Sequence, residues 1–330
     1  MLELDKPLDT LEGFRDLCMR ILHIGNDAPS REQWLKDRQS GIGGSDAAAV
    51  VGVSKWKSPM RLWAEKSGRV SDAIESNDAL EMGKLLEPVI LARLSEKSGR
   101  TVYPWPSTLI AKSDDHPFMF CTPDGLIFDP AMGGTGLVQC KTTGEYHAHA
   151  WDGEPPLDYQ VQVQHELAVT GLPWACLVVL IGGRRLKWID ILPNPEFREK
   201  LIEAERDLWS YVESGAVPPF SDDVYRFEDA KDTLFDLFSQ DNGQAIVLPD
   251  EFCEVDLRLG IVKEDIKRLE AEKESLENKI RMALGDCTEG VLPNGIGSYT
   301  WKTQHNKGYT KVVEPFDSRV LRRSKKGKRS

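Results

Sequence analysis

The chain has 330 residues, 40% hydrophobic and 29% charged, with a formal net charge of −11. Such a length buries a sizeable core and predicts one main domain with an appendage, and the balance is that of a soluble globular protein. The acidic total excludes a broad basic face for nucleic acid, so any DNA contact has to be local, in a channel. No apolar run is long enough to span a bilayer and Met1 to Thr10 is acidic rather than leader-like, so the expected location is the cytoplasm. Six cysteines, at 18, 121, 140, 176, 253 and 287, form no CxxC pair and read as reduced thiols.

Residues 1–30 hold an amphipathic segment, Leu11 to Ile24, that predicts a helix packed on the body. Arg31 to Arg38 predicts a second helix. Gly41-Ile42-Gly43-Gly44-Ser45-Asp46 then reads as a turn before a helix over Ala47 to Val51. Such a turn exposes backbone N–H groups and the Ser45 hydroxyl, an anion site to which Arg38 adds charge; plain helix capping is the ordinary reading of the same residues. Pro59 opens the next helix, and Trp56 and Trp63 read as core residues rather than base-stacking platforms. Beyond a polar linker over 71–78, Met82, Leu85, Leu86, Val89 and Ile90 form one apolar stripe at helical spacing, with Glu87 at its edge.

Residues 101–142 alternate short strands and turns, predicting an antiparallel sheet. Within it, Asp124 occupies a Pro-Asp-Gly turn that reads as a hairpin tip, and Leu137 to Lys141 reads as a short buried strand. Strand side chains alternate faces, so Gln139 and Lys141 point to one side. A carboxylate, an amide oxygen and a lysine so placed are the parts of a Mg²⁺ site for cutting phosphodiesters, in which oxygens hold the metal and the ammonium steadies the attacking water. His147 and His149 form an HxH pair without partners and read as surface residues. Pro155 to Gly171 predicts a helix on which Tyr159 and Gln162 share a face while Gln164 points nearly opposite. Trp174 to Ile181 reads as a central strand, Arg185 to Leu192 as its neighbour and Glu196 to Tyr211 as a helix, with Pro218-Pro219 closing the core.

The ordered set of Arg38, IGGSD, GKLLEPVI with Glu87, TPDG with Asp124, QCK with Lys141 and YxxQxQ resembles the YqaJ family of viral recombinases. These are relatives of phage lambda exonuclease within the PD-(D/E)xK nucleases, and the likeness spans roughly residues 31–219. The resemblance implies an α/β (α+β) restriction-endonuclease-like core, a mixed sheet flanked by helices, over 31–220. It places Glu87, Asp124, Gln139 and the Cys140 backbone carbonyl on Mg²⁺, with Mn²⁺ as an alternative, and makes Lys141 the catalytic lysine. Arg38, Ser45, Tyr159 and Gln162 fall on DNA. Gln139 stands where the family has an acidic residue, and an amide brings no charge and cannot act as a base.

Residues 221–317 read as an accessory module. Leu259, Val262, Ile266, Leu269, Leu276, Ile280 and Ala283 repeat at steps of three and four, a seam broken by Lys273 that asks for a partner helix; Ser298 to Lys302 reads as a terminal strand. Residues 318–330 carry seven basic and no acidic side chains, leaving −18 on the rest, and read as a basic tail. The leading expectation is a Mg²⁺-dependent exodeoxyribonuclease on linear duplex ends. By the resemblance it runs 5′ to 3′, supplies single strands to an annealing protein and assembles as a ring-like trimer. The alternatives are a DNA-end-binding protein with a degenerate site, and an endonuclease or junction resolvase.

Overall fold

A computed structural model describes residues 8–26, 30–71, 77–308, 315 and 319–323. It divides into two compact units, Met1–Ser239 and Gln240–Ser330.

The first unit opens with helices α1 (Leu11–Asn26) and α2 (Arg31–Arg38), strand β1 (Ile42–Gly43) and helices α3 (Gly44–Val50), α4 (Pro59–Lys66) and α5 (Asp78–Ser98). Strands β2 (Thr101–Pro104), β3 (Ala111–Lys112), β4 (Met119–Cys121), β5 (Gly125–Asp129) and β6 (Gly134–Thr143) follow. Helix α6 (Leu157–Thr170), strands β7 (Ala175–Ile181) and β8 (Arg185–Ile191), and helices α7 (Pro195–Ser214) and α8 (Ala230–Leu237) complete it. The central sheet has the order β2-β5-β6-β7-β8; only β6 and β7 run parallel, because α6 crosses between them.

Alternation along the strands builds a core on each face. Leu126, Phe128, Leu137, Ala175, Leu177, Val179 and Ile181 pack with α1 and α6. Ile127, Val138, Cys176 and Val178 pack with Ile90, Leu91 and Leu94 of α5. Close packing at β6 demands a glycine: a Cβ on Gly136 would stand 2.5 Å from the Trp174 indole. The indole N–H in turn donates to the Gly134 carbonyl at 3.1 Å. Arg100 bridges β5 and the outer strand β8, donating to Asp129 at 2.7 Å and to both oxygens of Asp190 at 2.8 and 2.7 Å.

Several expectations change. The stripe on α5 is kept only in part: Ile90 is buried as read, but Met82, Leu85 and Val89 are 50, 69 and 53% exposed, and Leu91 and Leu94 are buried instead. This helix is apolar on more than one side, and the strand surface selects the face that fits. Trp56 is 83% exposed whereas Trp63 is 1% exposed. Trp56 lies in the loop before α4, where the Ser54 hydroxyl accepts from the backbone N–H of Trp56 and Lys57 and turns the ring outward. Asp124 is not at a hairpin tip; it ends the link from β4 to β5, where the chain leaves a second sheet, β1-β4-β3, and enters the central one. The residues read as a Gly-rich turn include β1, paired parallel with β4. Gly41 permits that approach, since a Cβ there would meet the Phe118 carbonyl oxygen at 2.3 Å.

Beyond Pro218-Pro219 the chain still folds with this unit. Asp229 accepts from the Ser58 backbone N–H at 2.8 Å, and the Phe220 ring meets Trp63 edge-on. The second unit contains helix α9 (Phe252–Leu284) and the antiparallel strands β9 (Glu289–Val291) and β10 (Ser298–Thr300). Leu259, Val262, Ile266, Leu269 and Leu276 of the predicted seam are exposed. Most of the basic tail, residues 318 and 324–330, lies outside the described residues; within it Arg323 grips Asp256 with two bonds of 2.6 Å. Among the described residues no helix is long and apolar enough to cross a membrane.

Gly136→Ala should destabilise the fold by about 1–3 kcal/mol, because the added methyl overlaps an immobile indole. Gly144→Ala, with open space around it and φ of −73°, should be neutral or stabilising by up to about 1 kcal/mol. Urea unfolding of both variants checks the contrast.

Candidate active site

One cavity of about 450 Å³ gathers side chains from α2, α3, α5, α6, β6 and the β4–β5 link. Gln139 and Lys141 project from β6 on the face that Leu137 shares with α6, as strand alternation requires. Asp124 Oδ2 accepts from the Cys140 backbone N–H at 2.6 Å and from Gln139 Nε2 at 2.7 Å, tying the start of β5 to β6. Gln139 Oε1 is buried and lacks a hydrogen-bond partner. Glu87 reaches the same cavity from α5.

Lys141 is held from α6. Its Nζ donates to Gln162 Oε1 at 2.9 Å and sits 4.9 Å from the centre of the Tyr159 ring. Gln164 faces elsewhere, donating to the Leu192 carbonyl and accepting from the Asn194 backbone N–H, both at 2.9 Å. Helix α6 is pinned by a buried pair, His165 Nδ1 with Glu205 Oε1 at 2.7 Å, while His165 Nε2 lies 2.9 Å from the Phe120 carbonyl. Burial lowers the His165 pKa, but the Glu205 carboxylate outweighs it and the net shift is upward.

At the other end of the cavity Arg38 Nη2 lies 3.4 Å from Ser45 Oγ, with its guanidinium over the Trp34 ring at 4.9 Å. Beneath them Asp46 is buried, paired with Lys66 at 2.8 Å and with Lys57 and Arg38 at 3.9 Å each. Burial pushes its carboxyl up, yet those three cations hold it well below the usual carboxylate range. Lys57 is taken up by Glu65 at 2.6 Å, so Lys66 and Arg38 against Asp46 leave a local positive excess under Ser45.

The carboxylates near Lys141 behave in the opposite way. Burial, reinforced by Asp124, pushes Glu87 up to about 7 against the pull of Lys141. Burial likewise pushes Asp124 up to about 6 despite Lys141 and its two hydrogen bonds. Spacing on α6 carries a further residue, Glu166, four positions past Gln162 and on the same face, which motif reading missed. It is buried, accepts from Gln162 Nε2 at 2.9 Å through Oε1, and burial pushes it up to about 7. Its Oε2 has no hydrogen-bond partner. His147 and His149 are exposed and away from this cavity, as their spacing suggested.

Carboxylates that raise one another's pKa, beside an orphaned amide oxygen, fit a hard divalent cation. Among the described residues no three His, Cys, Asp or Glu side chains gather to hold a metal ion. The hard oxygen groups that Glu87, Asp124 and Gln139 bring to this cavity belong to two carboxyls and one amide.

Fold and cavity define a class of mixed α/β proteins with a carboxylate–amide–lysine centre at the core of the sheet. A profile of the YqaJ-like viral recombinase domain matches residues 33–173. Over 301 residues the chain is 32% identical to the Bacillus subtilis (strain 168) protein YqaJ, covering 87% of this chain and 92% of that one. The chain belongs to the YqaJ family. Among solved structures, it is similar to an alkaline exonuclease (LHK-Exo) from Laribacter hongkongensis, with TM-score 0.48 and 21% identity over 62% of this chain and 99% of that chain. A phage-related exonuclease from Haemophilus somnus 129PT gives TM-score 0.36 and 13% identity over 53% of this chain and 96% of that chain.

The raised carboxyls set a pH dependence. A group that holds its proton in the folded chain to about pH 7, and releases it near 4.5 when unfolded, contributes stability that declines as pH rises through that interval. In EDTA, the loss of urea midpoint between about pH 5 and pH 8 should therefore be smaller for Glu87→Gln than for the parent. Added Mg²⁺ at the higher pH should restore the parent more than the variant. An equal loss in both proteins would remove Glu87 from the raised set.

Proposed function

We propose that this protein is a divalent-metal-dependent exodeoxyribonuclease acting on ends of linear double-stranded DNA. The observation that carries the reading is the junction of Asp124, Gln139 and Lys141 on one face of β6, with Glu87 facing the same cavity. Mg²⁺, or Mn²⁺ in its place, would be held by Glu87, Asp124, the Gln139 amide oxygen and the Cys140 backbone carbonyl. When bound, the ion supplies charge neutralisation at the phosphodiester and a water of lowered pKa. Lys141 orients the attacking water through one N–H while Gln162 and Tyr159 hold its ammonium. Arg38 and Ser45 take a terminal DNA phosphate, favoured by the positive excess of Lys66 and Arg38 over Asp46. Tyr159 and Gln162 line the path of the strand.

The family's description, a viral recombinase domain, agrees with this class of chemistry. A 5′-to-3′ direction, a ring-like trimer and delivery of single strands to an annealing protein complete the proposal. The reaction belongs in the cytoplasm, where such DNA ends arise.

End-labelled linear duplex with Mg²⁺ should release nucleotides from one strand, and covalently closed circles should survive. Asp124→Asn and Lys141→Ala should each lower the rate by at least about 100-fold while retaining end binding; near-parental cleavage by either one would remove that residue from the site. Binding without nucleotide release by the parent protein would leave only an end-binding role.

Gln139→Glu adds a carboxylate beside Asp124, where Nε2 now donates at 2.7 Å. The two carboxylates repel unless a cation lies between them. This variant should lower the Mg²⁺ concentration for half-maximal rate by roughly three- to thirtyfold, about 1–2 kcal/mol. It should also unfold more readily than the parent in EDTA. An unchanged Mg²⁺ midpoint would take Gln139 away from the metal.

A further inference from the structure

A glutamine amide is nearly symmetrical in shape, so sterics alone let Gln162 present either its oxygen or its nitrogen to Lys141. Its two neighbours remove that freedom. Above it, the Lys141 ammonium can only donate; below it, Glu166 can only accept once it is ionised, above about pH 7. Lys141 Nζ to Gln162 Oε1 and Gln162 Nε2 to Glu166 Oε1, both 2.9 Å, form the one arrangement in which the Gln162 amide is hydrogen-bonded to both neighbours. Glu166 is itself held in place: it is 1% exposed, and a Cβ on Gly44 would stand 2.6 Å from Oε1, so α3 packs its backbone directly against the carboxylate.

We propose that Glu166 is a positioning residue of the nuclease site, locking the Gln162 amide so that its oxygen, and never its nitrogen, faces Lys141. The inference rests on the proposed role of Lys141 and deepens it. A lysine on a four-carbon stem has three rotatable donors and finds its orientation only from what surrounds it. The Tyr159 ring confines the ammonium to a region, and the Gln162 oxygen sets the direction of one N–H, leaving the others for water and phosphate. Polarisation along the Lys141–Gln162–Glu166 chain strengthens each bond.

Three substitutions separate acceptor, charge and fold. Glu166→Leu removes the acceptor at similar volume and should lower kcat about 10- to 100-fold, with KM for duplex ends within about twofold, since Glu166 lies beneath the surface that meets DNA. Glu166→Gln keeps an acceptor but offers a donor as well, so both orientations of Gln162 become satisfied; kcat should fall only about two- to fivefold. Gln162→Leu breaks the chain above Glu166, and in that background Glu166→Leu should cost nothing more, because members of one unit are not additive.

The assay is single-turnover digestion of end-labelled duplex, with Lys141→Ala alongside. An inactive Lys141→Ala protein with a folded Glu166→Leu protein at near-parental kcat overturns the proposal and leaves the nuclease reading standing. An active Lys141→Ala protein overturns the nuclease reading itself. A loss from Glu166→Leu that appears in KM, or that adds fully to Gln162→Leu, also overturns the lock. Should Glu166→Leu fail to fold, Gln162→Leu is compared with Gln162→Leu/Glu166→Gln: equal kcat supports the proposal and a further loss overturns it.

Discussion

The parallel pairing of β6 with β7 is the constraint on which the rest of the molecule depends. A parallel pair needs a crossover, and here it is α6, which must lie across one face of the two strands it joins. Because side chains alternate, the same geometry sends Leu137 into the core under α6 and brings Gln139 and Lys141 out beneath Tyr159, Gln162 and Glu166. A slip of one residue would exchange these with Val138 and Cys140, exposing polar groups to the apolar layer of α5. The apolar neighbours therefore police the register of the polar ones.

Electrostatics divides the cavity into two parts. Near Lys141 the carboxylates outnumber the cations and their pKa values rise through burial, with Asp124 adding to the rise of Glu87 and Glu166. Near Ser45 the cations outnumber Asp46, whose carboxyl stays well below the usual range. One part favours an added cation and the other an added anion, an arrangement suited to holding a metal beside a phosphate. It also reconciles a net charge of −11 with a nucleic-acid substrate, since the positive charge needed is local and partly buried.

Much of this was legible in the chain. The run from Leu137 to Lys141 and the Tyr159–Gln162 spacing each express a local period, two for a strand and 3.6 for a helix, and the structure keeps those periods. The family likeness rests on the same residues, and relatedness to YqaJ extends it over most of the chain. Glu166 was hidden for a different reason. Its spacing was available, but nothing in the sequence says that the turn after Gln162 lies against Gly44 rather than in solvent.

Sequence alone determined the faces of the strands and helices and the chemistry on each, because alternation and helical pitch depend only on covalent neighbours. Tertiary structure decided which faces meet. It buried Ile90, Leu91 and Leu94 and left Met82, Leu85 and Val89 outside, turned Trp56 outward and paired β1 with β4. It also set Asp124 at the entry to the central sheet, where the Cys140 N–H holds it. Each of these outcomes depends on the shape of a partner distant in the chain, and local periodicity carries no record of that shape.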